Sequence, residues 1–251
     1  MKLKDKVAVI TGAGAGMGKA IALYYGREGA KVVVSDLQAD TAADTAAAIA
    51  AEGGQALAVA ANVAEEHDVQ HLIDETLKHF GRVDILVNNA GIMDNFVPAA
   101  EVSDELWHRV LAVNTTGPMR TMRKVLPLFT QQGQGVIINI ASIGGLQGSR
   151  AGLSYTASKH ALIGMSKNVA FQYAQLGVRC NVIAPGGVNT SIGEKMQPHP
   201  FGMEQAMSGI QGNKRQGEPE EIATIAVFLG SDDASLLNGA VLTADAGWTA
   251  Y

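Results

Sequence analysis

Apolar residues follow two alternating rhythms along this chain: short unbroken runs rich in β-branched residues, and longer segments where they return every three or four positions. The runs Val7 to Ile10, Lys31 to Asp36, Ala56 to Val63, Val83 to Asn88, Val136 to Ala141, Val178 to Ala184 and Ala240 to Thr243 predict strands. The segments Gly16 to Glu28, Thr41 to Ala51, Glu65 to Phe80, Ser154 to Leu176 and Pro219 to Leu229 predict helices, with Gly53-Gly54 and Gly81 as stops. Another helix starts at Ser103 and Asp104 and runs past Trp107 toward Phe129, and Gly117-Pro118 predicts an irregularity within it.

Strands joined by helical crossovers run parallel, and right-handed crossovers place helices on both faces. The strand runs lack polar alternation, as expected of a sheet covered on both sides. The pattern therefore predicts an α/β fold, a doubly wound parallel (Rossmann) sheet of about seven strands, in a single domain spanning residues 1–251. Residues 190–217 break the rhythm: β-branched residues are few, glycines recur, and Pro198, Pro200, Met and Phe are scattered. This stretch reads as a mobile substrate lid.

Composition narrows the function classes. Of 251 residues, 47% are hydrophobic and 17% charged, which is globular composition. The net charge of −5 lacks the clustered Lys and Arg that a nucleic-acid surface needs. No uninterrupted apolar run is long enough to span a bilayer, and a cytoplasmic protein is the simplest expectation. Lys2 to Lys6 reads as a solvated tail. Cys180 is the one cysteine and lies in an apolar stretch, as a small core residue does. His67 and His71 lack the companion ligands of a metal centre, so no metal is expected.

Candidate chemistry sits at the carboxyl ends of the strands, where ligands bind in such sheets. Thr11-Gly12-Ala13-Gly14-Ala15-Gly16-Met17-Gly18 follows a strand and opens a helix. Glycines there permit a tight turn and close approach of backbone to a pyrophosphate, whose charge meets the helix N-terminus. Asp36 ends the second strand, where a carboxylate accepts hydrogen bonds from ribose hydroxyls. Its neighbours are Ser35 and Leu37, so no adjacent cation receives a 2′-phosphate. Two unit charges about 4 Å apart at an effective dielectric of about 20 repel by about 4 kcal/mol, which favours NAD over NADP. Asn62-Val63 and the turn Asn88-Asn89-Ala90-Gly91 end the third and fourth strands and can border the adenosine, although turn chemistry alone also favours Asn and Gly there.

Tyr155 and Lys159 are four apart on one helix and share a face. A phenol ordinarily titrates near about 10 and yields a phenolate at neutral pH only beside a cation.

In order and spacing, the glycine turn, Asn-Asn-Ala-Gly, Asn114, Ser142 and the Tyr155/Lys159 pair resemble the short-chain dehydrogenase/reductase family over essentially the whole chain. Asp84, Pro185-Gly186, Val188, Thr190 and the closing Asp245-Ala246-Gly247 fit as well, with Ala246 where a glycine is common. The resemblance implies that Tyr155 is general acid in reduction and general base in oxidation, and that Ser142 hydrogen-bonds the substrate oxygen. Lys159 would bind the nicotinamide ribose and lower the Tyr155 pKa, and Asn114 would distort its helix to hold a proton-relaying water. Cofactor contacts would come from Gly12, Gly16, Met17, Gly18, Asp36, Leu37, Asn62, Val63, Asn89, Ala90, Gly91, Tyr155, Lys159, Pro185, Gly186, Val188 and Thr190. It also implies a homotetramer built on the helices after the fourth and fifth strands and on the C-terminal strand, with the ending Trp248 and Tyr251 suited to burial against a neighbour.

The expected pocket wall is Ser142 to Leu146, Met93 to Phe96, Met196, Phe201, Met203 and Met207. It is largely apolar and holds no evident arginine clamp, which favours a small or medium hydrophobic ketone or secondary alcohol. Hydroxysteroid and cyclic-alcohol dehydrogenases are versions of this reading that the sequence leaves open. A 3-oxoacyl thioester reductase shares the motifs, but Asp36 counts against its usual NADPH. A cofactor-sensing regulator or a structural scaffold leaves the intact Ser142, Tyr155 and Lys159 unexplained.

Overall fold

The computed structural model describes residues 1–190, 193, 196–208 and 215–250. Seven strands, β1 (Val7–Thr11), β2 (Lys31–Asp36), β3 (Gln55–Ala60), β4 (Ile85–Asn88), β5 (Gly135–Ile140), β6 (Val178–Pro185) and β7 (Val241–Ala244), form one sheet. Its order is β3-β2-β1-β4-β5-β6-β7 and every pairing is parallel. The order reverses between β1 and β4, the switch point at which doubly wound sheets open a crevice.

The helices are α1 (Gly16–Arg27), α2 (Ala39–Ala51), α3 (Glu66–Phe80), α4 (Asp104–Leu111), α5 (Gly117–Gln132), α6 (Leu153–Tyr173), α7 (Pro200–Ser208) and α8 (Pro219–Gly230). Successive strand residues point to opposite faces. Ile10, Val34, Val87 and Ile138 join Ile21, Tyr25, Ile49 and Ile222 in one core, while Val9, Val33, Leu86 and Ile137 join Leu72, Val125, Phe129 and Val169 in the other. Both faces are covered, which explains the near-continuous apolar strands.

Several boundaries differ from the sequence expectation. β3 stops at Ala60, so Asn62 and Val63 lie in the turn beyond it, where Asn62 Oδ1 accepts the Ala64 N–H at 3.0 Å. The irregularity expected at Gly117-Pro118 lies just before it, as a π-helical turn over Ala112–Thr116. Pro118, which has no N–H to donate back into the preceding turn, follows it in one continuous helical run from α4 to α5. The tail Lys2 to Lys6 is anchored rather than solvated: Leu3 is fully buried and its N–H donates to the Glu28 carbonyl at 3.0 Å. Cys180 is fully buried in the core. Ala246 keeps the closing turn by adopting φ 55°, the conformation a glycine takes more readily. Of the stretch read as a lid, residues 191, 192, 194, 195 and 209–214 lie outside the described residues, as does Tyr251; α7 occupies its middle.

Candidate active site

After β1 the chain turns at Gly12 and Gly16, both left-handed with φ 62° and 53°. A Cβ at Gly12 would stand 2.8 Å from the Ala90 Cα, so this position demands glycine for space as well as conformation. Thr11 binds the two turns together: its Oγ1 accepts the Asn89 and Ala90 N–H groups at 3.1 and 3.2 Å. The Asn89 amide donates back to the Thr11 and Gly12 carbonyls at 3.0 and 2.9 Å. α1 begins after Ala15 with no side-chain cap, so its first N–H groups are left for another acceptor. At the far side, Asp36 Oδ2 accepts the Gly14 N–H at 2.9 Å and Oδ1 that of Gln38 at 3.1 Å.

These groups border a cleft of about 310 Å³, together with Leu37 at its exposed rim, Asn62, Val63 and Gly91. An uncapped helix N-terminus, glycines with no room for a Cβ and a carboxylate at one end fit a nicotinamide dinucleotide: the glycine turn would hold its pyrophosphate and Asp36 its adenosine ribose.

Tyr155 and Lys159 lie on one face of α6, with the Lys159 Nζ 5.5 Å from the centre of the phenol ring. Lys159 is buried, and its Nζ donates to the Ile140 carbonyl at 2.9 Å. Ser142 follows the end of β5, and its Oγ accepts the Gly144 N–H at 3.0 Å. Asn114 stands in the π-helical turn, its side chain engaged with its surroundings: Oδ1 accepts the Ile92 N–H at 2.9 Å, and Nδ2 donates to the Ile92 carbonyl at 2.9 Å and to the Ser158 hydroxyl at 3.1 Å. A Cβ at Gly91 would fall 3.4 Å from Asn114 Oδ1 and 3.5 Å from Lys159 Nζ, so the glycine turn, Asn114 and Lys159 meet in one small space.

Burial dominates the electrostatics. It pushes the Tyr155 phenol up to about 12; Ser142 opposes that shift and the Asp94 carboxylate adds to it. Burial pushes the Lys159 ammonium down to about 8. Burial thus opposes the charged form of both groups, and an oxidised nicotinamide would add a positive charge that favours the phenolate.

Ser142 and Tyr155 face a cavity of about 760 Å³ that also takes in Met93, Phe96, Ile143, Met196, Met203, Met207 and Trp248. Pro185, Gly186 and Val188, from the turn after β6, form another part of its wall. Met17 and Thr190 line both this cavity and the dinucleotide cleft, so the two adjoin along the carboxyl edge of the sheet.

Some expectations need correction. Asp94 points away from the cavity and is fully buried, Asn95 is not on the wall, and Leu146 and Phe201 face outward. Two arginines stand where none was expected: Arg150, whose guanidinium lies 4.5 Å over the Trp248 ring, and Arg215, paired with Glu221 at 2.8 Å. Trp248 is 8% exposed within the chain itself, so it needs no neighbour to cover it. Sequence reasoning placed Thr11 in the glycine turn without giving it a role and missed Arg150 and Arg215, because nothing in their local pattern separates them from ordinary loop residues. Among the described residues no group of side chains could hold a metal ion.

A strand order that reverses beside a glycine-lined cleft, with a tyrosine, lysine and serine gathered at its end, defines a dinucleotide-dependent oxidoreductase. The family model described as "Enoyl-(Acyl carrier protein) reductase" matches residues 12–249. A 3beta-hydroxysteroid dehydrogenase 2 of Eggerthella lenta is 45% identical over 251 residues, covering 99% of this chain and 96% of that one. The crystal structure of a levodione reductase is 35% identical with a TM-score of 0.92, covering 99% of this chain and all of the other. That of a 3-ketoacyl-(acyl-carrier-protein) reductase from Brucella melitensis, complexed with NADH, is 35% identical with a TM-score of 0.87 over 98% of this chain and 99% of that one. The chain belongs to the short-chain dehydrogenase/reductase family and is an enzyme acting on alcohols and ketones.

Proposed function

We propose that this enzyme moves a hydride between NAD(H) and a small or medium, mainly hydrophobic secondary alcohol or ketone. The observation that carries the reading is that Ser142 and Tyr155 share the wall of a largely apolar cavity that adjoins the dinucleotide cleft, with buried Lys159 behind them, its Nζ 5.5 Å from the centre of the phenol ring. When bound, the nicotinamide accepts or supplies the hydride and, oxidised, brings a positive charge.

In oxidation the alcohol O–H proton passes to the Tyr155 oxygen as the carbonyl forms, and in reduction Tyr155 returns it to the nascent alkoxide. Ser142 donates to the substrate oxygen, where charge builds. Lys159 would hold the nicotinamide ribose and, with the oxidised ring, would stabilise the phenolate. Asn114 holds the π-helical turn in which a water can pass protons to Lys159. Pro185, Gly186, Val188 and Thr190 would hold the nicotinamide end, and Asp36 beside Leu37 would favour a free ribose hydroxyl over a 2′-phosphate.

The methionine-rich wall suits 3β-hydroxysteroids or compact cyclic ketones such as levodione. Arg150 and Arg215 at the same wall favour a second reading, a 3-oxoacyl thioester reductase, whose substrate carries an anionic carrier. The apolar groove of about 610 Å³ between α5 and α6, lined by Met119, Met122, Leu126 and Met165, supports a homotetramer. We further place the chain in the cytoplasm, as one catalytic domain with residues 190–217 as its lid.

A nicotinamide absorbance screen of hydroxysteroids, cyclic ketones and 3-oxoacyl thioesters with both dinucleotides tests this. Turnover of a steroid or cyclic ketone with a clear preference for NAD(H) is expected. Turnover confined to thioesters, or equal use of NADP(H), contradicts it.

A further inference from the structure

Asp94 has no part in the chemistry above, yet it is fully buried in the loop after β4. Its carboxylate accepts three backbone N–H groups: Phe96 at 3.1 Å and Gly152 at 3.1 Å on Oδ1, and Tyr155 at 2.9 Å on Oδ2. Gly152 precedes α6 and brings no capping side chain of its own. Asp94 therefore supplies the missing cap from 58 residues upstream, and it does so on the N–H of Tyr155 itself. The approach is so close that a Cβ at Gly152 would stand 2.5 Å from Asp94 Oδ2 and 2.6 Å from the Val97 nitrogen.

The same loop shapes the substrate wall. Met93 and Phe96 line the cavity on either side of Asp94. Asn95 and Phe96 are both left-handed, with φ 54° and 59°, a conformation costly outside glycine and kept only where contacts over-determine it. Asp94 Oδ1 on the Phe96 N–H is one such contact. The stretch read as a lid supplies others: the His199 N–H donates to the Asn95 carbonyl at 2.8 Å, and Gly202 packs against the Phe96 carbonyl without room for a Cβ.

We propose that Asp94 is a positioning residue whose carboxylate fixes the start of α6, and with it the Tyr155 phenol, to the loop that forms the substrate wall. This rests on the reading of Tyr155 as the proton-transfer group. The tie has an electrostatic consequence, because the Asp94 carboxylate, held on the Tyr155 backbone N–H, opposes ionisation of that residue's phenol. The titratable and charged groups at this junction are Tyr155 and Lys159 on α6, Arg150 before it, and His199 with Glu101 at 3.0 Å beside the lid.

The test compares Asp94→Asn, Asp94→Ala and Gly152→Ala with native enzyme in hydroxysteroid or cyclic-alcohol oxidation, with Tyr155→Phe as control. Asp94→Ala and Gly152→Ala are expected to lower kcat by at least about tenfold, the scale of a slightly misplaced reacting group, with little change in NADH binding. Asp94→Asn, which keeps part of the cap and loses the charge, is expected to move the acidic limb of the oxidation profile to lower pH. A purely structural role lowers amplitude or stability without moving that limb. Unchanged kcat in Asp94→Ala, or an unmoved limb in Asp94→Asn, overturns the proposal while a dead Tyr155→Phe leaves the parent reading intact; an active Tyr155→Phe fails the parent reading instead. Hydrogen exchange on the native chain decides the tie even where variants do not fold or no tested alcohol turns over. The Gly152 and Tyr155 amides should be as protected as the middle of α6, and rapid exchange at both overturns the proposal.

Discussion

Lys159 illustrates what burial does to a single side chain. Burial pushes its ammonium down to about 8 and the Tyr155 phenol up to about 12. A positive charge near the phenol favours its ionised form, and the oxidised cofactor would supply one. Alcohol oxidation needs a proton acceptor, so kcat/KM for the alcohol should fall as pH drops and the phenol stays protonated. Ketone reduction needs a donor and should decline in the opposite direction. A profile of kcat/KM against pH checks this, and an oxidation profile that is flat or rises toward acid contradicts it. Asp36 was legible from its place at a strand end after a glycine-rich turn, whereas Tyr155 and Lys159 share a spacing common on helices and, like Ser142, were singled out by the order and spacing of motifs that resemble the family. Arg150 and Asp94 were not: their partners, Trp248 and the N–H groups of Gly152 and Tyr155, are remote in sequence, and no local periodicity encodes such meetings.

At the scale of elements, the π-helical turn between α4 and α5 joins fold to site. It holds Asn114 against the backbone of Ile92, satisfying both the N–H and the carbonyl of that residue. Asn114→Ala leaves both partly buried groups without their partner, at about 1–3 kcal/mol each. In a chain of this size, each kcal/mol moves Tm by about 2–4 °C. Thermal melting should therefore show a drop of at least about 3 °C, together with a higher KM for NADH from the loosened glycine turn; an unchanged Tm contradicts this role. Hydrophobic rhythm predicted every strand of the sheet: the inner strands bury both faces, and the edge strands β3 and β7, though partly exposed, keep short apolar runs. It missed α7, whose Met- and Phe-bearing sequence lacks a helical stripe, and it extended β3 over Asn62 and Val63, where the Asn62 side chain folds back on Ala64 instead.

At the scale of the whole molecule, the two cores account for the sheet and its six flanking crossover helices, but α5 and α6 retain an outward apolar groove, and Phe171 on α6 is 87% exposed. A second copy covering this face, as proposed, would bury both. Light scattering should give about four times the 26.2 kDa chain mass. Met165→Glu, placing a charge in the groove, should reduce that to dimer or monomer, whereas a tetramer unaffected by it contradicts this interface. All these scales converge on one phenol beside the nicotinamide. The most direct test is the turnover of Tyr155→Phe with NADH affinity measured alongside. Loss of at least about 10²-fold in kcat with NADH still bound is the predicted result, and native turnover by that variant contradicts the account.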